Sequence, residues 1–130
     1  FKEGYERIVI LDSDSPNLPS KYISKGLKIL REGDLVLGPC EDGGYYLVGL
    51  SSSMPKIFQD IPWSTSEVTK LTIEKAKALD KNISLLEKWY DVDTIEDLKR
   101  LKKELDGYAT GTEDIFFCEN TYSIISEILK

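Results

Sequence analysis

Apolar residues recur along this chain in two rhythms: short unbroken runs, and longer stretches with an apolar position every third or fourth residue. Arg7-Ile8-Val9-Ile10-Leu11 is a run of the first kind and predicts a strand buried on both faces, as parallel strands are. Polar turn residues follow, from Asp12 to Pro19. Ser20 to Glu32 then predicts an amphipathic helix with Ile23, Leu27 and Leu30 on one face, stopped by Gly33. Strands are expected near 34–38 and 44–50, joined across Gly43-Gly44, and a short helical turn around Pro55–Gln59.

Ser64-Thr65-Ser66-Glu67 has capping-box spacing and predicts a helix running to about Asp80, with Val68, Leu71, Ala76 and Leu79 facing the core. Ile83 to Leu86 is a further short strand. Thr94-Ile95-Glu96-Asp97 opens another helix, with Leu98, Leu101 and Leu105 inward and Gly107 at its end. A polar linker containing Gly and Thr leads to a last helix from about Glu119 to Lys130, carrying Tyr122, Ile125, Ile128 and Leu129. Strand–helix alternation makes the chain α/β. Two strands in direct succession across Gly43-Gly44 make the sheet mixed.

At 130 residues the chain is one domain's worth, 1–130, enough to bury a core. A formal net charge of −6, with both signs interspersed, argues against a phosphate-binding surface for nucleic acid. The absence of histidine removes Ser-His-Asp, Cys-His and HExxH chemistry from this chain. Cys40 and Cys118 form no metal-type pair, and with no membrane-length apolar run a reduced, cytoplasmic protein is expected. A homo-oligomer stays open. The chain starts at Phe1 and its first strand begins almost at once, which fits a missing N-terminal part as well as a processed or tagged chain.

The segment Gly38-Pro39-Cys40-Glu41-Asp42-Gly43-Gly44-Tyr45-Tyr46-Leu47-Val48-Gly49-Leu50 holds the densest chemistry. Glycines let bare backbone approach a ligand, and Glu41 and Asp42 stand at the rim of that approach. A plain acidic hairpin has the same composition. Tyr45 and Tyr46 alternate along a strand, so one should face the core and the other a cleft. Asp12 and Asp14 lie just past the carboxyl end of the first strand, where open α/β sheets bind ligands. They could converge on Mg²⁺ or Mn²⁺, or Asp14 could form an Asx turn with Asp12 solvated. Asp91 and Asp93 precede Thr94, so one acid can serve the helix start while the other turns to the site. Trp63 is either core or the wall of an acceptor pocket, and Ser64 and Thr65 follow it at the expected helix start.

Four motifs occur in order: the strand followed by Asp12-Ser13-Asp14-Ser15-Pro16, then Gly38 to Leu50, then Ile61-Pro62-Trp63-Ser64-Thr65-Ser66, then Asp91-Val92-Asp93-Thr94-Ile95-Glu96-Asp97-Leu98. Together, over about residues 5–105, they resemble the microbial glycosyltransferase-like family often called radical-SAM/selenodomain-associated transferase. That family belongs to the nucleotide-diphospho-sugar transferase (GT-A) superfamily. The resemblance implies a Rossmann-like mixed sheet flanked by helices and a metal-dependent transferase acting on a nucleotide sugar or nucleotide, with an unknown acceptor. It implies Asp14 as first ligand of Mg²⁺ or Mn²⁺, with Asp91 or Asp93 completing the site. Gly43, Gly44 and Asp42 match the segment that holds sugar or acceptor, and Tyr45, Trp63, Ser64 and Thr65 join them as candidate substrate contacts. Asp42 or Glu41 is the available base for an acceptor hydroxyl. Asp12 stands where the family pattern has a small residue, so the resemblance carries no metal role to it. Nothing here matches the family's first strand and its base-reading loop, which implies the C-terminal part of a longer domain.

Three alternatives stay open. Nucleotidyl transfer to a small phosphorylated acid shares the fold and metal. Strand–Asp-x-Asp also opens haloacid-dehalogenase-type phosphatases, although Pro16 stands where Thr or Val is usual and Gly38–Gly49 would go unexplained. A non-catalytic module that keeps the fold is the third.

Overall fold

In the computed structural model, which describes residues 1–109, Gly111 and 115–130, the elements follow the predicted alternation. They are β1 (Ile8–Leu11), α1 (Ser20–Ile29), β2 (Leu35–Pro39), β3 (Tyr45–Leu50), a 3-10 turn (Pro55–Phe58), α2 (Val68–Ala78), β4 (Ile83–Leu85), α3 (Ile95–Ala109) and α4 (Glu119–Ile128). The sheet order is β1-β3-β2-β4, with β3 antiparallel to both neighbours and β2 parallel to β4. This is the expected mixed α/β sheet flanked by helices. Consequently the carboxyl ends of β1, β2 and β4 and the start of β3 meet on one edge.

One face of the sheet packs on α1 through Leu30, Val36, Leu47 and Leu86. The other packs on α2 and the 3-10 turn through Leu35, Leu37, Val48, Met54, Ile57 and Ala76. A small third core joins α3 to α4 through Leu101, Leu105 and Ile125. Burying these side chains is the main favourable contribution, about 1.5–3 kcal/mol for each large one.

Register decides where the β2–β3 turn points. Leu37 pairs with Val48 and Gly38 with Leu47, but Pro39 pairs with Tyr45, so Tyr46 is an extra residue, a β-bulge. Strict alternation from Val48 and Leu50 would send Tyr46 to the α2 face. The bulge reverses this: Tyr46 is fully buried in the α1 core, and Tyr45 packs on the α2 side. Gly38 makes room, since a side chain there would occupy the Tyr46 ring. The Tyr46 hydroxyl donates to the Glu87 carbonyl at 2.9 Å.

Several boundaries and faces differ from the pattern-based expectation. β1 is an edge strand within this sheet, so Ile10 and Leu11 are exposed rather than buried on both faces. In α1 the inward position is Gly26, packed near Val36, Leu47 and Leu86, while Leu27 points out. α2 begins at Val68 because Ser64 takes a left-handed conformation, φ 64°, and cannot cap it. Its buried face is Val68, Thr72 and Ala76, one turn apart, and Leu79 is exposed. Thr72 qualifies as core because its hydroxyl donates to the Val68 carbonyl at 2.8 Å. α3 runs through Gly107, and in α4 Ile128 is exposed. Part of the expected polar linker, Thr110 and residues 112–114, lies outside the described residues.

Candidate functional site

The carboxyl edge is assembled by a chain of backbone bonds. The Cys40–Trp89 bridge prolongs β2 against the segment after β4, with Trp89 N–H donating to the Pro39 carbonyl and Glu41 N–H to the Trp89 carbonyl, both at 3.0 Å. This sets Asp91 beside Cys40, whose thiol donates to Asp91 Oδ1 at 3.1 Å. Val92 N–H donates to the Asp14 carbonyl at 2.9 Å, so the β1 exit joins the same place. The expected neighbourhood of Asp14 with Asp91 and Asp93 is therefore present in the backbone.

Among the described residues, two groups have ligand atoms within 4.8 Å of one another: Asp42, Asp91 and Asp93, and Asp12, Cys40 and Asp91. The Asp14 carboxylate belongs to neither, although its charge bears on both Asp12 and Asp93. Asp12, to which the family pattern assigns no role, sits in the second group. Its carboxyl is pushed up to about 7, first by partial burial and then by the hydrogen bond to Asp91 and that residue's charge. Ser15 Oγ lies 3.1 Å from the Tyr90 carbonyl, 3.2 Å from Asp91 Oδ1 and 3.3 Å from Asp12 Oδ2, and its single proton serves one at a time. Burial and Asp91 push the Cys40 thiol up, so it remains a thiol. The Asp93 carboxyl is raised by slight desolvation and by the charges of Asp91, Asp14, Asp42 and Asp97.

None of Asp12, Asp14, Asp42, Asp91 and Asp93 is ion-paired with Lys or Arg among the described residues. The nearby cation is spent elsewhere. Arg100 grips Glu41 with 3.2 and 3.1 Å contacts to its two oxygens, bonds Glu104 at 3.1 Å and lies 3.7 Å over the Tyr90 ring. Glu104 in turn accepts from Tyr90 and from buried Asn17, each at 2.7 Å. Glu41 thus anchors α3 to the edge.

Asp42 faces a cavity of about 490 Å³ lined also by Gly44, Tyr45, Trp63, Ser64, Thr65, Ser66, Val68 and Asp93. Most of the sequence-derived substrate candidates converge there, and Gly43 lines the neighbouring cavity instead. Trp63 is 52% exposed, a wall rather than core, with its ring edge-on to Tyr45 at 6.4 Å. Asp42 Oδ1 accepts from Gly44 N–H at 2.9 Å, which holds the carboxylate toward the turn. Gly43 has φ 95°, and a side chain there would overlap the Ser66 backbone. Its carbonyl accepts from Thr69 N–H at 2.9 Å, docking the start of α2 on the turn. Thr65 Oγ1 donates to the Pro62 carbonyl at 2.7 Å and shapes the Trp63 loop. Thr94 and Asp97 form a reciprocal cap for α3: Asp97 N–H donates to Thr94 Oγ1 at 3.2 Å and Thr94 N–H to Asp97 Oδ2 at 2.8 Å. That relieves Asp91 and Asp93 of capping duty.

Sequence reasoning missed Ser66 and Val68 in the cavity wall, and the Arg100–Glu41 clamp, which joins residues 59 apart. Only a charge of the right sign on the α3 face signals that clamp.

Among the described residues, no helix is long and apolar enough to cross a membrane. No curated protein matches the chain. A crystal structure from Desulfovibrio desulfuricans G20, described as a "putative nucleotide-diphospho-sugar transferase", is similar with a TM-score of 0.83 and 33% identity. The similarity covers 98% of this chain and 53% of that one, so the chain spans about half its length. The family described as "Uncharacterized protein conserved in bacteria (DUF2064)" matches residues 1–65, half of the chain. On that match, over the first three strands, the acidic turn and the Trp63 loop, the chain belongs to this bacterial family.

Proposed function

We propose that the chain carries the acidic side of a site that transfers a glycosyl group from a nucleotide-diphosphate sugar to an acceptor hydroxyl. The carrying observation is the open group Asp42, Asp91 and Asp93, unpaired with any described cation and bordering the aromatic cavity. Its donors are hard carboxylate oxygens, which suit Mg²⁺ or Mn²⁺, and the Asp93 carboxyl is raised by desolvation and then by neighbouring carboxylate charges, the second of which a cation would relieve. The group Asp12, Cys40 and Asp91 suits them less, since it offers a protonated thiol and a carboxyl already hydrogen-bonded. Asp91 and Asp93 would hold the ion, with Asp14 nearby. When bound, it supplies Lewis-acid neutralisation for a departing diphosphate.

The chain's own residues do the remainder. Asp42, oriented by the Gly44 N–H, accepts the proton of the acceptor hydroxyl. Glu41 is held by Arg100, so Asp42 is the better base. Trp63 and Tyr45 form the apolar wall against which a sugar ring packs, and Ser64 and Thr65 offer hydroxyls along it. Similarity to the Desulfovibrio structure supports the reaction class, and the four ordered motifs support the finer placement as the C-terminal part of a radical-SAM/selenodomain-associated transferase-like domain, in a cytoplasmic protein.

The test is nucleoside diphosphate release by the intact protein from a panel of nucleotide sugars with Mg²⁺ or Mn²⁺. Release that depends on the metal and on Asp93 is the expected result. Pyrophosphate release from a nucleoside triphosphate, with no sugar donor consumed, would replace glycosyl by nucleotidyl transfer.

A further inference from the structure

A second cavity, of about 420 Å³, adjoins the first: Gly43 lines one, Gly44 the other, and Ser66 both. Its charge is opposite. Lys70 and Lys77 reach it from α2 and Lys88 from the segment after β4, against a single lining carboxylate, Glu74. Lys70 has a partner in Glu67 at 3.4 Å, on the surface. Lys77 and Lys88 pair with no acid among the described residues. On a chain of net charge −6, two ammonium groups without an acidic partner in one concavity are a local concentration of positive charge. Lysine is a point-charge partner for phosphate. Pro39 and Ile73 add apolar surface for a short carbon skeleton. Thr69 has committed its proton to the Gly44 carbonyl at 2.6 Å, whereas the Ser66 hydroxyl is free of partners among the described residues and can donate.

We propose that this lysine-lined cavity binds a phosphate-bearing small molecule, the acceptor of the transfer, with Lys77 and Lys88 supplying charge and Ser66 a hydroxyl. Anion binding follows from the cavity alone, while the acceptor role rests on the transferase reading. The donor's diphosphate belongs at the aspartates, where a cation mediates, and the acceptor's phosphate belongs where none is needed. Ser66 on the shared border lets one molecule anchor its phosphate on the lysine side and present a hydroxyl towards Asp42.

The experiment titrates inorganic phosphate into the intact protein at constant ionic strength and follows amide NMR shifts. The wild type is compared with a Lys77→Gln/Lys88→Gln variant and a charge-matched Lys28→Gln/Lys56→Gln control. Saturable shifts around Ser66, Thr69 and Lys88, weakened about tenfold or more in the first variant and unchanged in the control, are expected. Equal weakening in both variants, or in neither, overturns the site. Displacement of phosphate by Mn²⁺ with a nucleoside diphosphate overturns the acceptor role and gives the cavity to the donor. A phosphate site that behaves as expected in a protein that turns over no nucleotide sugar leaves the anion site standing and removes the transferase reading with its acceptor.

Discussion

The two groups of side chains that share Asp91 solve the same electrostatic problem in opposite ways. Around Asp12, Cys40 and Asp91, hydrogen bonds and a retained proton absorb the charge: the thiol donates to Asp91, and Asp12 holds its proton up to about 7. Around Asp42, Asp91 and Asp93 the relief is thinner: beyond the bonds that Asp91 accepts, one backbone N–H, from Gly44, reaches Asp42, and the Asp93 carboxyl is raised. The carboxylates stand within 4.8 Å, two of them exposed, with the nearest arginine engaged by Glu41 and Glu104. Exposed acids also gather where only solvent screens them, so it is the aromatic cavity beside this group that favours a ligand. On the proposed reading the difference separates a structural acid group from one open to a ligand, although the two lie side by side.

The sharpest break would come from Asp93→Asn. Activity should fall about 10²–10³-fold, as when a group that helps hold charge in the transition state is lost. Thermal stability should hold or rise, because a crowded charge has gone. A variant that loses stability and keeps turnover would reverse the assignment of the two groups.

Next in size is Gly43→Ala, which tests the wall between the two cavities. A left-handed φ combined with overlap on the Ser66 backbone should cost about 2–4 kcal/mol in denaturant unfolding. Folding and ligand binding should fail together, since Gly43 also anchors α2 through Thr69.

Arg100→Met asks whether Glu41 belongs with the open acids once released. The Glu41 pair is exposed and half-buried Glu104 keeps its Tyr90 and Asn17 donors, so the loss of stability should be about 1 kcal/mol, mostly from the stacked Tyr90 contact. Metal affinity, read by Mn²⁺ titration, should rise slightly as a further carboxylate becomes free.

The narrowest test is of pH. In the folded chain Asp12 binds its proton up to about 7, against an ordinary value of 3.8. The native state thus holds a proton that the unfolded chain has released. The contribution is complete below 3.8, declines as pH rises, and is lost above about 7. Asp12→Asn should match wild type at low pH and melt higher than it at pH 8, with the gap opening between those values.

Much of this was legible beforehand where the signal is local. Strand runs, the Thr94–Asp97 cap and the Gly43 turn each depend on residues a few positions apart, and each is found as expected. Burial of β1 was not, because an edge position depends on neighbours rather than on its own apolar residues. The start of α2 was misplaced because Ser64, good cap chemistry by composition, is bent into a left-handed turn that carries Trp63 to the cavity. The alternation of Tyr45 and Tyr46 was foreseen, yet which one faces the cavity depends on a bulge with no compositional mark. Asp12 and Arg100 act through partners brought close only by the folded edge.

The bulge has a consequence for how this hairpin tolerates change in length. Tyr46 is uncounted in the β2–β3 ladder, so the tip of the hairpin is in antiphase with its body. Phase is set by the paired positions on either side of the bulge, so a residue added or removed in the turn beyond Pro39 and Tyr45 leaves the faces of both rings unchanged. Losing the bulge itself would bring tip and body back into phase, and a ring now locked in the core and a ring now lining the cavity would trade sides. The hairpin is therefore forgiving of length at its turn and unforgiving of it in its ladder.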